Sequence, residues 1–509
     1  MAVPRPSMSD IEAAAEHFGF QLDTDARQSV LAFVQQMLGT CDVIDKLYDE
    51  VARTPTSDRS YNFPAPDENP LGAWYVTTDI RSDVEGPLSG RQVAVKDNIA
   101  VAGVPMMNGS RAVEGFIPDR DATVVERLLA AGANIAGKSV CEDLCYSGSS
   151  FTSATGPVRN PWDTTRETGG SSSGSAALVA AGAVDLAIGG DQAGSIRIPA
   201  SLCGIVGFKP TYGLVPYTGA IPLERTIDHL GPMARTVSDA ALLLTVLTGP
   251  DGWDSRQPSK LPSLDYSAAL TGDVAGLRVG ILTEGFGHRR SQPEVDEVVR
   301  SAAHRFSEIG CSVGEISVPW HGGALALSAI FCTEGGVYQM LEGNGSGLGA
   351  EGRYDPELMA HFATQRRAHA DQLSAIVKAT AVAGHFSLNT LGGSYYAKAR
   401  NLVPHARAAY DDALARYDVL VMPTTPATAQ PLPDDFTSLH AAIGKAANTA
   451  PLNVTGHPAI SVPAGLVDGL PAGMMIVGKR FDDATVLNVA HAFESLCGGF
   501  PSASRRKIT

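Results

Sequence analysis

From Gly169 to Gly204 the chain is built mainly from Gly, Ala, Ser and small aliphatic residues. Small side chains let backbone approach backbone, so this run calls for tight turns and close helix-on-sheet packing. Within it, Gly169-Gly170-Ser171-Ser172-Ser173-Gly174-Ser175-Ala176 leads straight into an apolar helix through Ala181, then into a strand at Asp185 to Ile188. A flexible linker would instead join regions of different composition. A Ser-rich turn that opens a helix caps its free N–H groups. It also aims hydroxyl and N–H donors at one point, which suits an anion or a developing oxyanion.

The flanks carry the same alternation of strand and helix. Arg91 to Val95 reads as a buried strand, Asp121 to Ala131 as a helix, and Asn134 to Gly137 as a short strand. Further on, Gly276 to Leu282 reads as a strand, Val295 to Gly310 as an amphipathic helix, and Val419 to Met422 as a strand ended by Pro423. This alternation predicts an α/β fold with a large, mainly parallel central sheet flanked by helices. Sites in such folds lie at strand C-termini and in the loops that follow.

Residues 1–72 read as an N-terminal helical extension. Ser9 or Asp10 caps one helix, and Val30, Phe33, Val34 and Met37 recur at helical spacing in a second. Residues 53–72 hold Pro55, Pro64, Pro66 and Pro70 and read as a linker. Residues 73–509 form the main domain, with 276–415 as a layered, mostly helical subregion broken by glycines at 343–352.

A net charge of −15 repels phosphate backbones and argues against a nucleic-acid partner. The seven cysteines are an odd number in a long chain, so a disulfide framework is not expected. Cys141 and Cys145 lack two further ligands at zinc spacing and read as small buried hydrophobes. No signal peptide pattern opens the chain, and its most apolar stretch, Ala176 to Ile188, falls well short of a bilayer span. These points predict a cytoplasmic protein without a membrane partner.

Two further segments stand out. Gly189-Gly190-Asp191-Gln192-Ala193-Gly194-Ser195-Ile196-Arg197 follows a strand, so Ser195 sits where a nucleophile turn would place it. It is not a Gly-x-Ser-x-Gly elbow, because Arg197 occupies the last position. Val93-Ala94-Val95-Lys96-Asp97-Asn98 ends an apolar strand in a lysine. Such a lysine can snorkel to solvent, or it can serve as a base where burial disfavours its cation. None of the 12 histidines carries an informative motif, and His229 reads as structural.

These segments, with Gly204-Ile205-Val206-Gly207-Phe208-Lys209-Pro210-Thr211, Gly231-Pro232-Met233-Ala234-Arg235 and Asn453-Val454-Thr455-Gly456-His457-Pro458-Ala459, resemble the amidase signature family. The resemblance spans roughly residues 75–500. It is closest to the bacterial enantioselective amidases of the nitrile-degrading type, which share the extension and the Gly-Gly-Asp-Gln segment. It implies a Ser–cisSer–Lys triad with Lys96 as base, Ser171 in a cis peptide as relay, and Ser195 as nucleophile. Choosing Ser171 over Ser172 or Ser173 rests on family spacing. The backbone N–H groups of Gln192, Ala193, Gly194 and Ser195 match the family's oxyanion hole, and Asp191 and Arg197 the residues that hold the loop. Tyr146, Trp162, Ile227 and Ala450 are candidates for the substrate pocket by position.

The sequence departs from the family at two places. Ser173 stands where Gly is common, and so does Ala193. An L side chain disfavours positive φ, so a positive-φ requirement at 193 would alter the oxyanion loop. The resemblance implies hydrolysis of small aliphatic or aryl monoamides to a carboxylate and ammonia or an amine. The same triad could act on carbamates or anilides, or serve as the ammonia-producing subunit of a tRNA-dependent amidotransferase. No metal or organic cofactor is implied, and the partner is a small-molecule amide or carbamate. A homodimer is the family expectation.

Overall fold

A computed structural model describes residues 4–51, 59–262, 264–437, 439 and 444–503. The chain divides into two compact units, Met1–Thr56 and Ser57–Thr509. In the first, α1 (Met8–Phe18) carries a capping box in which Ser7 and Asp10 satisfy each other's backbone N–H groups, and it ends on Gly19 at φ 73°. It packs on α2 (Thr24–Val51), with the ion pair Arg27–Glu12 between them and Arg5, ahead of α1, paired with Asp42 of α2.

Residues 59–72, expected in the extension, pack with the second unit. Strand β1 (Tyr61–Asn62) pairs with β2 (Trp74–Ile80), and Arg59 binds Asp121 through two hydrogen bonds of 2.6 and 2.8 Å. The strands that follow are β3 (Gln92–Lys96), β4 (Asn134–Ser139), the hairpin β5 (Arg159–Asn160) and β6 (Asp163–Glu167), β7 (Leu186–Asp191), β8 (Val206–Lys209) and β9 (His229–Ala234). Then come β10 (Arg278–Leu282), β11 (Ser312–Ile316), β12 (Val419–Pro423), β13 (Ala459–Val467) and β14 (Leu470–Val477).

Twelve of these build one sheet in the order β1-β2-β4-β3-β7-β9-β8-β13-β14-β12-β10-β11. The sheet is mixed, but it is not mainly parallel. Only β3–β4, β3–β7, β10–β11 and β10–β12 run parallel. The other seven neighbouring pairs are antiparallel. The physical reason lies in the returning strands. β9 enters between β7 and β8, and the β13–β14 hairpin closes the gap to β12. That hairpin turns at Asp468 (φ 51°) and Gly469 (φ 79°), as a two-residue turn of matching twist requires. Residues 276–415 contribute β10 and the edge strand β11 to the same sheet as well as helices. Pro423 is part of β12 and faces Met474.

The helices that position the site are short. α3 (Thr123–Ala130) links β3 to β4. α4 (Ser173–Ala181) packs on β3, β4 and β7, and all its residues but the last are buried. A helix apolar and small on every side fits only inside a core. α5 (Arg197–Cys203) packs against β8, β13 and β14, and α6 (Val237–Leu247) against β9. Among the described residues one helical run, Trp320–Glu342, has the length and apolarity to cross a membrane. It is more than half buried in this unit, and its buried Glu334 accepts the Tyr396 N–H at 3.0 Å.

Candidate active site

Lys96 ends β3, which lies between β4 and β7, and its side chain is fully buried. Its Nζ donates to Ser171 Oγ at 2.8 Å and to the Gly190 carbonyl at 3.2 Å. The next residue, Asp97, fixes the turn. Its carboxylate accepts the N–H groups of Met107 and Asn108 at 2.8 and 2.9 Å and Lys138 Nζ at 2.7 Å. Burial pushes the Asp97 carboxyl up against the pull of Lys138. Lys138 is therefore an ion-pair partner, and Lys96 is the buried lysine directed at a hydroxyl.

The three serines of the turn have different jobs. The Gly170–Ser171 peptide is cis. Ser171 Oγ meets Lys96, while its carbonyl accepts the Glu142 N–H at 3.2 Å. Ser172 Oγ bonds both the carbonyl and the N–H of Gly190, at 3.1 and 3.2 Å, and its N–H donates to the Ser195 carbonyl at 3.2 Å. Ser173 Oγ donates to the Val140 carbonyl at 3.3 Å. The tight positions are the neighbouring glycines. A Cβ on Gly170 would lie 2.1 Å from the Ser149 oxygen, and one on Gly174 2.4 Å from the Ala73 oxygen. Position 173 accommodates its serine.

Ser195 sits between β7 and α5 and is nearly buried. Its loop hangs from Asp191, at the end of β7. Asp191 accepts the N–H groups of Gly194 (2.7 Å) and Ile196 (3.1 Å), and Arg197 donates to both its oxygens at 3.0 Å. Burial pushes the Asp191 carboxyl up. The guanidinium beside it, with Lys209 and Asn453, outweighs that and holds it well below the usual carboxylate range. Asn453 completes the cluster. Its Nδ2 donates to the Asp191 carbonyl at 2.9 Å, and its Oδ1 accepts from Arg197 at 2.7 Å. Thr449 Oγ1 donates to the Ala193 carbonyl at 2.6 Å from the start of α12, the helix Ala450–Thr455, with α7 (Pro293–His304), α8 (Trp320–Ile330), α9 (Pro356–Ala368), α10 (Ala375–Leu391) and α11 (Ser394–Arg416) preceding it.

This geometry changes two expectations about the oxyanion loop. The Gly194 N–H is held by Asp191 Oδ1, so it braces the loop and does not face an incoming oxygen. Gln192, Ala193 and Ser195 are the remaining N–H groups of the expected set. The positive-φ residue is Gly194, at 133°, and Ala193 is not in that region. A Cβ on Gly194 would lie 2.2 Å from Thr449 Oγ1. The alanine therefore sits where an L side chain is tolerated, and the glycine where none is.

The expected pocket residues separate. Tyr146 and Ile227 are buried, and Tyr146 OH lies against Gly336, where a Cβ would come within 2.1 Å of it. The Ile227 carbonyl accepts Asn453 Nδ2 at 3.1 Å, which ties it to the loop of Asp191. Ala450 is buried beside Thr449. Trp162 instead donates its ring N–H to the Cys203 carbonyl at 2.8 Å. That is the end of α5 away from Ser195, so Trp162 braces the β5–β6 hairpin. His229 bonds the Ile227 carbonyl through Nδ1 at 2.7 Å. The sulfur atoms of Cys141 and Cys145 both donate to Asn108 Oδ1, at 3.5 and 3.3 Å. Asn98 and Asn453 lie within segments that carry the resemblance, but nothing in the sequence assigns them a role, and Tyr217 lies outside those segments. For Asn453 a signal existed: a polar residue inside the otherwise apolar run Ala450 to Val454.

The structure thus brings together Lys96, Ser171 and Ser195, the three residues that the resemblance singles out: the lysine bonds Ser171, and the next residue bonds the carbonyl of Ser195 on a strand-to-helix turn. The Amidase family matches residues 42–487, and the chain belongs to it. It is 54% identical over 507 residues to an enantioselective amidase of Rhodococcus rhodochrous, covering 97% of this chain and 96% of that one. It is 40% identical over 429 residues to a glutamyl-tRNA(Gln) amidotransferase subunit of Exiguobacterium sibiricum, covering 83% and 87%. Among solved structures, the native peptide amidase of Stenotrophomonas maltophilia superposes with a TM-score of 0.68 at 32% identity, over 82% of this chain and 85% of that one.

Proposed function

We propose that this chain is a serine amide hydrolase that converts small aliphatic or aryl monoamides to a carboxylate and ammonia or an amine. The observation that carries the reading is the 2.8 Å contact between Lys96 Nζ and Ser171 Oγ in a fully buried setting. In the neutral amine the same contact runs as O–H to N. Lys96 then takes the Ser171 proton as Ser171 takes that of Ser195, and Ser195 Oγ adds to the amide carbonyl. The negative oxygen that forms is met by backbone N–H groups of the 192–195 loop. The relay returns the proton to the amide nitrogen, the C–N bond breaks, and water cleaves the acyl-enzyme. The name of the Rhodococcus relative supports this class of substrate.

Carbamates and anilides present the same carbonyl and are the second reading. The test is ammonia release from benzamide and from propionamide, with labelling by a fluorophosphonate. Ser195→Ala is expected to lose both signals. Labelling that persists in Ser195→Ala places the nucleophile elsewhere, and an absence of ammonia from every simple amide removes the reading.

A further inference from the structure

Asn448 uses every hydrogen-bonding position of its buried side chain. Nδ2 donates to the Gly285 carbonyl at 2.8 Å and to the Pro423 carbonyl at 2.7 Å. A carbonyl can only accept, so these two bonds fix which arm is the NH2. Oδ1 then accepts from two imidazoles, His288 Nε2 at 2.7 Å and His321 Nε2 at 3.0 Å. Each ring therefore carries a hydrogen on Nε2. Burial lowers the His321 pKa to about 4, so that ring is neutral and its Nδ1 accepts the Tyr410 hydroxyl at 2.6 Å. One amide thus ties together the end of β12, the turn after β10, the loop of His288 and the first turn of α8.

The next residue carries that fixed point to the nucleophile's loop. Thr449 Oγ1 donates to the Ala193 carbonyl at 2.6 Å. The same peptide unit offers the Gly194 N–H to Asp191 Oδ1 at 2.7 Å. A peptide is a rigid plane, so holding its carbonyl on one side and its N–H on the other fixes its rotation. The peptide before it carries the Ala193 N–H, and the peptide after it carries the Ser195 N–H. The Gly194 carbonyl, opposite the Ser195 N–H, accepts the Ile198 N–H at 2.7 Å. Donors of this kind act through their direction, which must be set before charge develops.

We infer that Asn448 and Thr449 are positioning residues for the oxyanion loop. Asn448, held by His288 and His321, places the Thr449 hydroxyl where it fixes the Ala193–Gly194 peptide, and with it the direction of the Ala193 and Ser195 N–H groups. This rests on Ser195 being the nucleophile of an amide hydrolase. It gives the loop a second anchor besides the Asp191–Arg197 pair. The direction of the donors matters most once the carbonyl becomes tetrahedral, so loss of the anchor falls on kcat more than on KM.

The experiment uses the parent, Asn448→Ala, Thr449→Val and the double variant. Thr449→Val keeps the shape of the side chain and loses its hydroxyl. On each, kcat and KM are measured for benzamide per fluorophosphonate-titrated site. The Ki of phenylboronic acid, whose serine adduct is tetrahedral and anionic, is measured by competition with fluorophosphonate labelling. Neither KM nor Ki depends on the fraction of folded enzyme. Each single variant is expected to raise Ki and lower kcat by about threefold to tenfold, with KM within about twofold, as loss of one hydrogen bond to the loop would do. The double variant should lose no more than the larger single loss, because Asn448 acts through Thr449. A double loss equal to the product of the single losses overturns the inference. So does a Ki in Thr449→Val equal to that of the parent. Should Asn448→Ala fail to fold, His288→Ala removes one donor to Oδ1 and takes its place. It is expected to raise Ki in the parent and not in Thr449→Val, and equal rises in both overturn the inference. A parent that releases no ammonia removes the amide-hydrolase reading, while the Ki comparison still decides the anchor, so the two failures are distinct.

Discussion

Asp191 and Arg197 face each other through two hydrogen bonds of 3.0 Å, with both side chains fully buried. The pair lies on either side of Ser195 in sequence, so its geometry sets the loop between them. Removing one partner leaves a buried charge uncompensated, which costs about 3–5 kcal/mol. Asp191→Asn is therefore expected to lower thermal stability strongly and to lower kcat more than KM. Asn453→Ala removes two donors from Asp191 and one acceptor from Arg197, and a loss of about 2 kcal/mol is expected. The Asp191 carboxyl is depressed, so the pair's contribution is complete above the ordinary carboxylate pKa and is lost only as pH falls through the lowered value. Thermal unfolding of the parent and the two variants between pH 5 and 8 should show a gap that does not vary with pH.

Ser171 and Ser172 are adjacent, yet only the first touches Lys96. Ser171→Ala should lower kcat by at least roughly 10³-fold, as loss of a proton relay does. Ser172→Ala loses the brace on Gly190 but no proton path, and a fall of about tenfold is expected from displaced geometry. Steady-state rates on benzamide per fluorophosphonate-titrated site separate the two. Equal losses would mean that the relay is not confined to Ser171.

The small-residue run, the strand ending at Lys96 and the turn opening α4 were legible in the sequence, because short-range composition dictates them. Strand direction was not. β9 and the β13–β14 hairpin make most of the sheet antiparallel, and their placement depends on contacts far apart along the chain. The Asp468-Gly469 pair between apolar runs is a usable hairpin signal, and it alone would have argued against a mainly parallel sheet at that end. Which serine meets Lys96 is set by where the Gly170–Ser171 turn falls against β3, and adjacent serines look identical in sequence. Tyr217 lies about 120 residues from Asn98, so nothing local marks the two as partners.

Ala193 and Gly194 make a matched pair of opposite expectations. Gly194→Ala places a Cβ 2.2 Å from Thr449 Oγ1 at a φ of 133°, so both space and backbone oppose it. It should lose activity by two orders of magnitude or more, and Thr449→Ala should not restore it, because the φ requirement persists. Ala193→Gly relieves nothing and adds freedom to the unfolded chain. It is expected to keep activity within about threefold and to cost roughly 0.5–1 kcal/mol of stability. Rates and unfolding midpoints on the three variants check both statements.

Glu142 provides a pH test that is separate from catalysis. It is fully buried, its N–H donates to the Ser171 carbonyl, and its Oε2 accepts from Ser149, from the Phe151 and Thr152 N–H groups and from Thr152 Oγ1. Those four donors favour the ionised form, but burial is the larger effect and pushes the carboxyl up to about 7. A carboxyl raised on folding makes its contribution while protonated. That contribution is whole below the unfolded pKa near 4.5 and is lost as pH rises through about 7. The loss is roughly 3 kcal/mol. Glu142→Gln keeps an oxygen for the four donors and cannot ionise. Its stability relative to the parent should therefore rise from pH 5 to pH 8 by about that amount, whatever constant offset the substitution brings. Denaturant unfolding of both proteins at the two pH values reads the difference directly. A stability of Glu142→Gln relative to the parent that does not rise between pH 5 and pH 8 would show that Glu142 is already ionised beside Ser171 at pH 5.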